Sequence, residues 1–234
     1  MTLASCDSRK TAGENPFFTE WDTPHGVPPF DKILPEHFMP AFERGMSLHE
    51  AEIDAITSNK DEATFENTIL AYDNAGQMLA QTELVFGMLC AAETNDRMQA
   101  LQEQAMPLLA AHRDKIRLDD KLFVRVKEVY DRRAALGLDA EQMRLLQKTY
   151  DSFVRAGALL DAEQKARLKE INGQLSLTAV KFGNNILAEN NNFVLELKSD
   201  ELDGLPAGIR DAARDKARQM GKGDKWVFTL HKPS

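Results

Sequence analysis

The chain has 234 residues, 43% of them hydrophobic, enough to bury roughly 70% of the surface that its unfolded form would expose. Its formal net charge of -8 offers no long-range attraction to phosphate backbones or anionic lipid, which argues against nucleic acid as a partner. Two cysteines, Cys6 and Cys90, define neither a disulfide framework nor a paired-thiolate metal site.

Residues 1–34 read as a proline-rich extended arm. Near its start, Leu3-Ala4-Ser5-Cys6 is like the end of a bacterial lipoprotein signal, in which the cysteine becomes the lipidated first residue. No apolar membrane-inserting run precedes it, so the tetrapeptide is either what remains of a longer signal or a chance match. Lipid on Cys6 is the one membrane attachment the sequence predicts, and it would place the protein in the periplasm or on a bacterial membrane. Without it the expected location is the cytoplasm. Further along, Pro16, Pro24, Pro28 and Pro29 forbid a long helix, while Phe17, Phe18, Trp21 and Phe30 are expected to lie on the body.

Residues 35–192 carry helical periods and form the predicted helical domain. Phe38, Phe42, Met46, Ile53 and Ile56 recur at steps that place them on one face, with Gly45 and His49 completing the stripe. Thr64 is expected to cap a second helix bearing Phe65, Ile69, Tyr72, Leu79, Phe86 and Leu89. A third carries Met98, Leu101, Ala105, Leu108, His112 and Ile116, with Pro107 predicting a kink or two shorter helices. Asp119 and Asp120 open a fourth with Leu122, Val126, Val129 or Tyr130, and Arg133 on one face, stopped by Gly137. Asp139-Ala140-Glu141-Gln142 and Asp161-Ala162-Glu163-Gln164 each read as a capping box that starts a helix. The stripes that follow are Met143, Leu146, Tyr150, Phe153, Gly157 and Leu160, then Leu168, Ile171, Leu175, Phe182 and Ile186.

Residues 193–234 change character. Phe193 to Leu197 and Trp226 to Leu230 read as strands, and Pro206 to about Met220 as a helix between them. The fold class is therefore mainly α: a multi-helix antiparallel bundle-like array with a small β-α-β element at the C-terminal end.

The sequence offers no catalytic set. His25, His37, His49, His112 and His231 never stand four apart on one helix. In His49-Glu50-Ala51-Glu52-Ile53, Ile53 occupies the place where a zinc-binding H-E-x-x-H needs its second histidine. Nucleophile elbows and phosphate-binding loops are absent too. Gly221-Lys222-Gly223 is a turn, and carboxylate pairs such as Asp119 and Asp120 read as caps. No catalytic or metal-binding residue is nominated, and the substrate-binding residues are unknown.

Three stretches near the start, Asn15-Pro16-Phe17-Phe18, Pro28 to Ile33 and Pro35 to Glu43, are joined downstream by Thr64-Phe65-Glu66-Asn67-Thr68-Ile69, Thr94 to Asp96 and Ala111 to Asp114. Phe153-Val154-Arg155-Ala156-Gly157-Ala158 and Lys225-Trp226-Val227 follow in order. Together these resemble the amino-terminal part of the thimet oligopeptidase family of zinc metallopeptidases, nearest its bacterial dipeptidyl carboxypeptidase branch, with the oligopeptidase A branch next. The resemblance implies a zinc-dependent peptidyl-dipeptidase whose metal and catalytic residues lie in a downstream catalytic domain. This portion would then form one wall of a channel for short unfolded peptides, inactive alone and holding no cofactor itself. A stand-alone helical peptide-binding or scaffold module without catalysis is the alternative.

Overall fold

A computed structural model describes residues 15–230, which divide into two compact units, the first running to Leu177 and the second beginning at Thr178. Cys6 and His231 lie outside the described residues.

In the first unit the described part of the arm, residues 15–34, has 3₁₀ turns at Pro16–Phe18 and Pro24–Gly26 with extended backbone at Thr19, Thr23 and Val27, and a further turn, Pro35–His37, leads into the first long helix. The Asn15 side chain accepts the Phe17 N–H at 3.1 Å and donates to the His37 carbonyl at 2.8 Å, which ties the arm to the first long helix. Phe17 is buried against Phe38, with ring centroids 5.3 Å apart, and Trp21 meets it edge-on. Phe30, expected on the body, is exposed instead.

Helix α1, Phe38–Ser58, follows. Its predicted stripe divides between two apolar clusters. Phe38, Ala41 and Phe42 pack with Phe17, Leu79, Val85, Phe86, Met98 and Leu109, whereas Ile53 and Ile56 pack with Phe65, Ile69, Ile116, Leu122, Val126, Leu146 and Phe153. Full burial of each such side chain stabilises the fold by about 1.5–3 kcal/mol. Gly45 lets α1 approach α2, Gln77–Ala92, closely: a Cβ there would stand 3.0 Å from the Leu79 Cα. Cys90 is half-buried beside this cluster, and desolvation raises its thiol pKa.

The predicted second helix is interrupted. Thr64 caps it as expected, its hydroxyl accepting the Asn67 N–H at 3.1 Å, but Phe65–Leu70 is a π-helix and Ala71–Asp73 a single α-turn. Gly76, at φ +75°, then turns the chain before α2. A left-handed residue cannot continue an α-helix, and glycine adopts it without a Cβ penalty.

Helix α3, Asp96–Arg117, runs through Pro107 without dividing. Proline removes one backbone donor, a loss that the buried neighbours Ala105 and Leu109 offset. The buried face shifts there, with Leu109 inside and the predicted Leu108 45% exposed.

Asp119 caps α4, Asp120–Asp131, which ends before Gly137, so Arg133 falls in a separate 3₁₀ turn, Arg133–Ala135. Helix α5, Ala140–Arg155, begins on the predicted capping box, with Asp139 and Gln142 bonded reciprocally. Asp161 and Gln164 repeat it at the start of α6, Ala162–Asn192. Two polar contacts hold the first turns of α6: Lys165 with Asp120, and Asn172 to Asp114 at 2.9 Å.

A polar hub locks the loop after α1. The Asn67 Oδ1 accepts from the Thr64 N–H, the Thr68 hydroxyl and the Arg125 guanidinium, while its Nδ2 donates to the Glu62 carbonyl. Arg125, buried on α4, also donates to the carbonyls of Asn59 at 2.9 Å and Asp61 at 3.1 Å.

In the second unit β1, Leu195–Leu197, pairs antiparallel with β2, Trp226–Phe228, in the register Leu195↔Phe228, Glu196↔Val227 and Leu197↔Trp226. Helix α7, Ala207–Gln219, packs on β2 through Ala213 and Ala217. Lys222 and Lys225 both grip Glu196, Lys222 more strongly, and hold its carboxyl at about 2. The chain is mainly α with a small two-stranded sheet, as the sequence predicts.

Arg125→Met removes a buried guanidinium and its hydrogen bonds to the Asn59 and Asp61 carbonyls and the Asn67 Oδ1, so it is expected to lower the unfolding free energy by about 1–3 kcal/mol. Urea denaturation followed by helical circular dichroism measures it, with the exposed Lys121→Met expected to change stability by under about 0.5 kcal/mol.

Candidate functional site

The most unusual polar arrangement among the described residues lies inside the first unit. His49 sits on α1 between Phe42 and Ile53, and His112 sits on α3 between Leu109 and Ile116. Their Nδ1 and Nε2 atoms, respectively, are 3.0 Å apart, with ring centroids 5.0 Å apart and planes tilted by 59°. His112 is only 5% exposed. Its Nδ1 faces the Glu50 Oε1 at 3.5 Å, long for a hydrogen bond, and has no other partner. Lys115 holds the other Glu50 oxygen at 2.8 Å. Behind His49 lies Gly76, where a Cβ would meet the imidazole ring at 3.0 Å. The Gly76 N–H donates to Glu52 at 2.7 Å.

Burial lowers both histidine pKa values. For His49 the neighbouring His112 adds to that effect while Glu52 and Glu50 oppose it; for His112 the opposition comes from Glu50, and Lys115 and Arg113 lower it further. Both rings are therefore neutral at pH 7. The Glu50 carboxyl is held below its ordinary range, chiefly by its hydrogen bond from Lys115.

These groups do not fit a zinc site. The inner nitrogens of the two rings are spent on each other, Glu50 meets His112 on its opposite edge, and Ile53 is 3% exposed in the apolar cluster. Among the described residues no group of three or more His, Cys, Asp or Glu is arranged to hold a metal ion. One signal of the pair is legible in the sequence: both histidines fall on the apolar stripes of their predicted helices. Their meeting across 63 residues has no signature in spacing.

The remaining polar features have structural work. The Asp119 side chain accepts the Leu122 N–H at 2.8 Å, Asp120 pairs with Lys165, and Lys222 of the Gly221–Gly223 turn pairs with Glu196. The His37 Nδ1 accepts the Leu34 N–H at 3.1 Å, and His25 is exposed in a turn.

The apolar stripe expected to bury α6 stays open. In the first unit Ile171 is 42% and Leu175 62% exposed, and in the second Phe182 is 66% and Ile186 46% exposed. No helix among the described residues is long and apolar enough to cross a membrane.

No family model matches the chain. It is, however, 38% identical over 217 residues to dipeptidyl carboxypeptidase of Escherichia coli (strain K12), covering 92% of this chain and 32% of that protein. The chain is homologous to the amino-terminal third of dipeptidyl carboxypeptidase. The dipeptidyl carboxypeptidase of Salmonella typhimurium is 36% identical with the same coverage, and oligopeptidase A of Escherichia coli is 24% identical over 213 residues, covering 91% of this chain and 31% of that protein. The chain thus spans about a third of the length of the curated relatives it matches.

The stretches through which the sequence resembles dipeptidyl carboxypeptidases and oligopeptidases fall on folding positions here. Asn15 and Phe17 dock the arm, Phe65, Asn67 and Ile69 combine core and hub, and Phe153 is fully buried between Phe123 and Tyr72. These residues shape the domain. After dialysis against a weak chelator, metal analysis is expected to find far less than one zinc per chain; stoichiometric zinc would show a ligand set that this geometry does not contain.

Proposed function

We propose that the chain is the amino-terminal, non-catalytic portion of a zinc peptidyl-dipeptidase that releases dipeptides from the C-terminus of short peptides. Its task is to form one wall of the substrate channel. The observation that carries this reading is the collinear similarity to dipeptidyl carboxypeptidases across 92% of the chain. The wide exposure of Leu175 and Phe182 supports it, because large apolar side chains left open mark surfaces suited to burial against a further part of the protein.

The chemistry then belongs to the remainder, which in this reading supplies zinc and its ligands. This chain excludes folded proteins by shape and admits flexible peptides. Lipid on Cys6 would place the enzyme at a bacterial membrane, facing peptides outside the cytoplasm.

An assay with an unblocked oligopeptide tests the division of labour. The chain alone is expected to release no dipeptide, and the remaining two-thirds of a homologous dipeptidyl carboxypeptidase alone very little, whereas the two joined in one frame are active. Leu175→Asp and Phe182→Asp should each lower the joined activity at least tenfold, while changing the stability of the separate chain by under about 0.5 kcal/mol. Full activity from the remainder alone, or dipeptide release in proportion to this chain, would contradict the proposal.

A further inference from the structure

The two apolar clusters of the first unit share walls. Phe42 and Leu109 belong to one, Ile53 and Ile116 to the other, and the first residue of each pair is on α1, the second on α3. Between these apolar positions, on the same two helices, stands the His49–His112 pair. We propose that it is an acid-sensitive latch across the α1–α3 seam, closed while the pair holds at most one added proton and opened by the second. The inference does not depend on the proposed peptidase role.

Proton counting on the observed geometry gives the mechanism. A hydrogen bond between two imidazoles needs an N–H on one ring and a lone pair on the other. Glu50 faces the Nδ1 of His112, so the best arrangement puts a proton there and leaves His112 Nε2 as acceptor. The Nδ1–H of His49 then donates across the 3.0 Å contact. A first added proton goes to the outer Nε2 of His49 and leaves this bond intact. The second has only the acceptor nitrogen, which sets two N–H groups against each other between two positive rings.

The surroundings admit one charge and resist two. From α1, Glu50 and Glu52 favour protonation; from α3, Lys115 and Arg113 oppose it, and burial opposes it most. On α2, Glu83 faces Arg113 at 3.6 Å, and the backbone of Gly76 closes the remaining side with no charge of its own. Because Glu50 is held by Lys115, it stays ionised throughout the window in which imidazoles titrate.

The unfolded chain protonates both rings as pH falls through about 6.5. It therefore binds more protons than the folded chain below that value, and stability is fully present above it and falls as the solution is acidified. A difference of one proton raises the unfolding equilibrium constant about tenfold per pH unit.

Urea denaturation of the full chain between pH 7.5 and pH 5, followed by helical circular dichroism, reads this slope. The wild type and the exposed control His25→Asn are expected to weaken about tenfold per unit below pH 6.5, whereas His49→Gln/His112→Gln should be close to flat there. Equal slopes in wild type and double variant, or no slope in the wild type, would overturn the latch. Should the double variant fail to fold, imidazole ¹⁵N spectra of the wild type decide. A folded chain at pH 5.5 whose pair carries no more than one added proton supports the latch, and two imidazolium rings in the folded chain refute it.

Discussion

Helix α1 is the element on which the first unit depends, because it belongs to both apolar clusters at once. Its first turns present Phe38 and Phe42 to the arm, α2 and α3, and its last turns present Ile53 and Ile56 to α4, α5 and the π-helical segment. A helix with one wide apolar face ordinarily serves one core. Here the face serves two in succession, and Gly45 and His49 occupy the part between. Gly45 buys closeness to α2, and His49 puts a polar contact where the apolar surfaces change over.

This arrangement explains how much could be read from residues alone. The helices of the first unit are legible because amphipathic periods and caps are local: Thr64, Asp119, Asp139 and Asp161 each bond within three residues of themselves. The strands were legible from their β-branched and aromatic runs, though only three residues of each pair. What local pattern could not give was the break at Gly76, since the apolar period of Phe65 to Leu89 continues across it while the backbone does not. Of the two outcomes that local pattern allowed at Pro107, the division into two shorter helices does not occur.

The polar contacts were illegible for a different reason. Arg125 is buried on α4 and meets oxygens 58 to 66 residues away, which no local pattern signals. His49 and His112 could be placed on the stripes of their helices, but only the packing of α1 against α3 brings them together. Buried polar groups must be satisfied by whatever the fold brings near, so they are decided by tertiary structure. The same holds for α6, whose stripe predicted burial and instead remains open at Ile171, Leu175, Phe182 and Ile186.

The proposed division of labour, shape here and chemistry in the remainder, rests on homology to dipeptidyl carboxypeptidases and on the open stripe of α6. The most direct measurement is the reactivity of thiols placed on α6. With Cys6 and Cys90 replaced by serine and alanine, Leu175→Cys and Phe182→Cys are labelled by a small maleimide in the separate chain and again when it is joined to the remaining two-thirds of a homologous dipeptidyl carboxypeptidase. The account predicts that joining slows labelling at both positions at least tenfold; equal rates in the two settings would contradict it.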